Sequence, residues 1–231
     1  MIRKALPLLA AVLLASTFGS AHAQTAAPPT AFDKQLHKLD LSVAGVGIFN
    51  TTVTGPVIPL SDNQGESITQ FGSNTMGALV SLHYIAKPYF GLEFNYGYAR
   101  YTENYKGPGI TNYFLPANTT DFQVQTKVNE YTFGYLITPP HLILGMQPFL
   151  SAGFGTQAFT PTPLGGQEEP EKARATYYYS LGVQKDYGQH LGFRAGFREL
   201  FFLDPDFGQN YLTILKHSNT YEPMAGFYVR Y

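Results

Sequence analysis

From Phe90 to Tyr101 the chain reads FGLEFNYGYARY, and its character changes at every step. Phe90, Leu92, Phe94, Tyr96 and Tyr98 fall on one face of an extended chain; Gly91, Glu93, Asn95, Gly97 and Ala99 fall on the other. A period of two is the mark of a β-strand lying between two different environments. The same rhythm predicts strands over about 39–50, 71–85, 147–159, 173–185 and 190–202, a strand ending near Ile137, and a last one that closes the chain. That makes eight strands. Their large faces carry Leu41 and Val43, Val80 and Leu82, Tyr131 and Phe133, Leu150 and Phe154, Tyr177 and Tyr179, Phe193 and Phe197, and Phe227 and Val229.

The connections alternate as well. AKPY, TPPHLILGM and DYGQ are short; the stretches around TTVTGPVIPLSDNQGESIT, NYKGPGITNYFLPANTT, PTPLGGQEEPEKAR and LDPDFGQN are longer and polar. HLILGM is an ambiguous apolar patch with room for an extra pair of short strands. With an even strand number both ends lie on the side of the short turns, the arrangement of bacterial membrane barrels.

Composition says which environment the large face meets. Charged residues make up 13% of the chain, against about 25% in an ordinary soluble domain. Aromatics reach 15%, all Tyr and Phe, and there is no Cys or Trp. Mean hydropathy is nevertheless only −0.11. A sheet with one face in lipid and one lining a polar interior averages out in this way. At the start, Arg3 and Lys4 precede the apolar run ALPLLAAVLLASTF and the small-residue pattern AHA before Gln24. Basic, apolar and small-residue regions in that order are those of a secretory signal peptide, and the run is short of the ~20 residues that a spanning helix needs. The expected organisation is a signal peptide over 1–23, a Pro/Ala-rich disordered lead-in over 24–35 and a barrel domain over 36–231. The fold class is therefore all-β: a transmembrane, antiparallel, up-and-down β-barrel of eight strands in the outer membrane. A net charge of −1 without a basic block argues against nucleic acid as a partner. No metal site and no cofactor is expected.

The closing segment TYEPMAGFYVRY alternates to its final aromatic. In this it resembles the C-terminal signal by which the outer-membrane barrel assembly machinery recognises its clients, with Ala225, Phe227, Val229 and Tyr231 at the matching positions and a Tyr where Phe is commoner. The mature chain resembles the small eight-stranded outer-membrane proteins of the OmpA transmembrane-domain and OmpX kind. The resemblance lies in architecture and in this ending. It implies a monomeric barrel in contact with outer-membrane lipid and lipopolysaccharide, and loops facing an extracellular ligand whose identity the sequence does not give.

Chemistry is sparse. Glu93, Glu130, Arg194 and Arg198 fall on interior faces, with Glu93 and Arg194 at one depth and Glu130 and Arg198 at another. Charges in a narrow dry lumen must pair, so ion pairs that fill the barrel are expected, with a gate as the alternative role. Asp40, His83, Glu222 and Arg230 are further interior polar positions, and Arg100 falls on the lipid-facing phase near the outer end of its strand. In KHSNTYEP, the residues His217, Ser218, Asn219 and Glu222 resemble the motif of outer-membrane lipid A deacylases, except that no spacer separates His217 from Ser218. Neighbours on a strand point to opposite faces, so a shared pocket would need a bulge. The expected function is a non-enzymatic structural or adhesion-type outer-membrane barrel. The alternatives are a porin-like small-solute channel and a lipid A deacylase-like hydrolase.

Overall fold

The structure, a computed structural model, describes residues 30–57, 67–107, 121–209 and 212–230. The signal-peptide region, residues 24–29 of the lead-in and Tyr231 lie outside them. A short helix α1, Ala31–Leu36, stands where the lead-in was expected to lack structure. Its cause is local: the Thr30 hydroxyl accepts the Asp33 N–H at 3.2 Å while Asp33 accepts the Thr30 N–H at 2.8 Å, a reciprocal cap of the helix start.

Among the described residues ten strands follow: β1 (Leu39–Asn50), β2 (Val53–Pro56), β3 (Ser67–Gly72), β4 (Thr75–Lys87), β5 (Phe90–Lys106), β6 (Asp121–Ile137), β7 (Gln147–Pro161), β8 (Lys172–Asp186), β9 (Leu191–Leu203) and β10 (His217–Arg230). Eight of them, β1 and β4 to β10, form a closed ring in which every neighbour is antiparallel and next in the ring's chain order. The ring closes where β1 meets β10, from Asp40 opposite Arg230 to Asn50 opposite Thr220. β2 and β3 form a hairpin that extends the wall above β4, with β3 paired to β5.

The alternation predicted one strand over 71–85; the structure starts that wall at Ser67 and breaks it at Ser73–Asn74. Gly72 faces Glu103 but Gly77 faces Ala99, so five steps on one strand match four on its partner. One surplus residue is a β-bulge, which bends the strand and sharpens its twist. The Ser73 N–H donates to Thr102 O at 2.9 Å and the Ser73 hydroxyl accepts the Thr102 N–H at 3.0 Å, which holds the bulge to β5. The patch HLILGM forms a tight reversal rather than two strands. Ile143 and Met146 exchange backbone hydrogen bonds of 2.8 and 2.9 Å, and Leu144 and Gly145 between them both have positive φ, 52° and 75°. That two-residue geometry suits the twist of a hairpin.

Burial follows the alternation. Phe94, Tyr131, Phe133, Phe154, Tyr177, Leu181 and Phe227 are exposed on the outer wall. The opposite faces supply small residues where strands must curve tightly. Added to Gly226, a Cβ would stand 2.1 Å from Val43 O and 2.5 Å from Ala44 Cα across the closing seam. Gly45, on the outer side of the same seam, has nothing within 4 Å of such an atom. Gly226→Val is therefore expected to abolish the compact, fast-migrating form on cold detergent gels, and Gly45→Val to retain it. Equal migration of the two variants would refute this account of the seam.

Candidate functional site

Strand length divides the barrel into two parts. β5 and β6 have 17 residues each, while a tilted strand crosses the hydrocarbon in about 9–11. The wall thus continues well beyond the membrane on the side of the long connections, and the interior changes composition with height.

At the short-turn end, the ring of Tyr228 lies under Gly192, whose missing Cβ makes room for it. Its hydroxyl donates to Asp186 Oδ1 at 2.5 Å, and Arg230 pairs with the same oxygen at 3.6 Å. Above this floor lies the first charged layer. His83 is fully buried, with Nδ1 2.5 Å from Asp40 Oδ1 and Nε2 2.8 Å from Glu93 Oε2. Arg194 donates to Gln184 Oε1 from Nε and Nη2 at 3.1 and 2.6 Å, lies 3.8 Å from Asp40, and is flanked by the rings of Phe149 and Tyr228, each 5.1 Å away. Glu93 also accepts hydrogen bonds from Asn95, Ser151 and Tyr178 at 2.8, 3.0 and 2.8 Å. The ionic partner of Glu93 is His83 and that of Arg194 is Asp40, so the two are not paired with each other.

The second layer centres on Arg198, 1% exposed. Its Nη2 donates to Glu130 Oε1 at 2.5 Å and its Nη1 to Glu222 Oε2 at 2.8 Å, so one guanidinium joins β9 to β6 and to β10. The face of Tyr178 lies 5.1 Å from it. Glu222, which the alternation marked only as an interior position, is the second carboxylate of this layer. Two cavities flank Arg198, about 20 Å³ and about 10 Å³ in volume. They are of the size that holds individual waters.

Higher still the interior turns apolar. Ile68, Tyr105, Phe122, Val124, Phe159 and Phe202 pack from the walls, and Phe207, Leu212 and Ile214 enter from the β9–β10 connection. Asp206 holds that connection down. It accepts Arg174 at 2.9 Å, Lys172 at 3.1 Å, the Thr213 hydroxyl at 3.0 Å and the Gly208 N–H at 3.0 Å. Burial alone would raise its carboxyl, but the Gly208 N–H, Arg174, Lys172 and Thr213 hold it below the ordinary value. Nearby Asp204 is moved the other way. Burial pushes it from 3.8 up to about 7, against the pull of the Ser218 hydroxyl and Arg174. No alternation marks Phe207, Leu212 or Ile214, and sequence reasoning missed this cap.

The residues of KHSNTYEP separate. His217 is exposed on the outer wall; Ser218 and Glu222 are buried on the inner one. The Ser218 hydroxyl lies 3.3 Å from that of Thr51, and Glu222 is engaged with Arg198. The strand is regular here, since His217 to Val229 run in unbroken register with β9, and no bulge brings His217 inward. Ala225, Phe227 and Val229 all face outward on β10. Among the described residues no cluster of His, Cys, Asp and Glu has the form of a metal site.

An eight-stranded closed antiparallel wall, apolar outside and charge-filled within, defines the class: this chain has the fold of the small outer-membrane β-barrels. The outer membrane protein OprG from Pseudomonas aeruginosa superposes with a TM-score of 0.54 at 11% sequence identity, over 84% of this chain and 95% of that one. Neisserial surface protein A matches with a TM-score of 0.49 at 14% identity, over 84% and 97%. No protein-family model matches the sequence, and no curated protein does.

Removing one member of a buried ion pair costs about 3–5 kcal/mol, since the other is left charged and unpartnered. Arg198→Met is expected to lower unfolding stability in urea and lipid vesicles by that amount, and adding Glu130→Gln and Glu222→Gln to restore most of it. Asp204 adds a pH dependence. Its carboxyl favours the proton in the folded state, so its contribution is complete below 3.8 and declines until the pH passes about 7. Hydrogen exchange at Leu212 and Thr213 should accelerate, beyond the intrinsic rate, over that interval in the native protein and stay level in Asp204→Asn.

Proposed function

We propose that this chain is an exported outer-membrane barrel that works through its outer surface rather than through its lumen, in a structural or adhesion-type role. The observation that carries this reading is the filling of the interior. Arg198 ties Glu130 and Glu222 together across the membrane-level lumen, and Phe207, Leu212 and Ile214 pack into the outer mouth above it. A solute would have to break a buried ion pair and displace an apolar core. What is left for recognition is the rim: the β2–β3 hairpin, the extended ends of β5 and β6, and the connections beyond them. The ligand they would meet is an extracellular one. On the same reading the segment 1–23 is removed on export, and the outward row Ala225, Phe227, Val229, with Tyr231 after it, is the signal read by the barrel assembly machinery.

The two other functions drawn from the sequence find less support. A channel would need a path past Arg198. A hydrolase would need His217 beside Ser218, and the two point to opposite faces of β10. Planar-bilayer recordings of the purified barrel test the reading. The expected result is no stable unitary conductance from the native protein and discrete openings from Arg198→Ala combined with removal of the Phe207 and Leu212 side chains. Stable unitary steps from the native chain would replace the surface role with a channel.

A further inference from the structure

The outer wall of β5 and β6 changes character at one level. Below it stand Phe94, Tyr96 and Tyr98 on β5 and Tyr131, Phe133 and Tyr135 on β6, with the Tyr96 and Tyr131 rings 5.3 Å apart. Above it stand Thr102, Gln123 and Gln125. At the boundary two cations face each other across the strands: Arg100 lies opposite Lys127. Directly opposite side chains have their Cβ atoms ~5 Å apart, and like charges there are destabilising.

The same two strands show the opposite choice a little higher. Lys106 lies opposite Asp121, an arrangement of complementary charge. Arg100 and Lys127 have no such relief among the described residues. Arg100 Nη2 donates to the neutral Gln125 Oε1 at 3.3 Å, and neither cation is in an ion pair. The acid nearest in register is Glu171. It accepts the hydroxyl of Thr160 at 3.0 Å, and Thr160 lies opposite Lys127 on β7.

Height identifies what is missing. Phe90, exposed at the short-turn end, begins the outward row of β5, and Arg100 is ten residues further on. Ten steps along a strand tilted by ~40° rise roughly 26 Å, one thickness of the apolar band. Arg100 and Lys127 therefore meet the plane of the outer-leaflet headgroups, directly above a girdle of tyrosines.

We propose that Arg100 and Lys127 form a binding site for a phosphate of an outer-leaflet phosphorylated glycolipid. A phosphate oxyanion between the two cations removes their repulsion and accepts charge-assisted hydrogen bonds from both, while the acyl chains of the same molecule lie on Tyr96, Tyr98 and Tyr131. The site goes beyond the proposed surface role, because it concerns the lipid that surrounds the barrel and not an extracellular ligand.

The refolded full chain, in mixed micelles with a zwitterionic detergent, tests this. Diphosphoryl lipid A is titrated in, and the thermal unfolding midpoint is followed by the loss of the fast-migrating gel form. The native protein should gain stability saturably with lipid A and much less with its dephosphorylated form. Arg100→Gln/Lys127→Gln should lose roughly thirtyfold in apparent affinity, the worth of two cations at a lipid surface. In micelles without lipid A the same double variant should unfold at a higher temperature than the native chain, because the repulsion is gone. Three results would overturn the site: equal midpoints with and without the lipid phosphates, an undiminished response in the double variant, or an equal response to inorganic phosphate alone.

Discussion

In hydrocarbon a backbone N–H or C=O has no water to turn to, so a sheet that crosses a membrane must pair both edges of every strand. The joint between β1 and β10 meets this demand, and the rest of the barrel follows from it. With eight strands the ring is narrow enough that its interior is filled by side chains. That narrowness explains Gly226 and Ala44 meeting at the seam, Gly192 yielding to the ring of Tyr228, and the small residues on the inner faces of β7 and β8. What space is left accepts a few long side chains, two arginines among them.

A buried guanidinium is tolerable only where its hydrogen bonds are met. Arg194 and Arg198 meet theirs differently. Arg194 leans on the neutral Gln184 and on two aromatic faces, with Asp40 at the limit of an ion pair. Arg198 takes two carboxylates at close range. Its Nε and the Gln157 Oε1 find no partner in the protein, and both residues line the cavity of about 20 Å³ beside it. The charged layers thus act as struts across the lumen: through Arg198, β6 is tied to the neighbouring strands β9 and β10.

Beyond the bilayer the barrel is built on another plan. Its outer face is polar and its interior mostly apolar, as in a soluble domain, with Tyr105, Phe122, Phe159 and Phe202 around Phe207 and Leu212. Water is available to the outer wall here, so the hydrophobic effect drives apolar side chains inward, whereas at membrane level lipid draws them outward. One continuous strand, β5, shows both regimes: Phe94 and Tyr98 face out, Tyr101 and Tyr105 face in, and Arg100 stands where the two meet.

The alternation of large and small residues determined the eight membrane-crossing strands, their faces and the interior position of Glu93, Glu130, Arg194 and Arg198, because a period of two is a local property that a strand cannot hide. It also settled that Ser218 and Glu222 lie on one face of β10 and His217 on the other. Tertiary structure alone decided which charges meet. Depth counted from a turn placed Glu93 beside Arg194, but pairing depends on which strands curve toward each other across the lumen, and His83 reaches Glu93 first. The bulge at Ser73–Asn74, the β2–β3 hairpin and the helix at Ala31–Leu36 hang on local hydrogen bonds that no periodicity records. The cap formed by Phe207, Leu212 and Ile214 belongs to an irregular connection, whose side chains take their direction from the barrel mouth they enter and not from the order of residues along it.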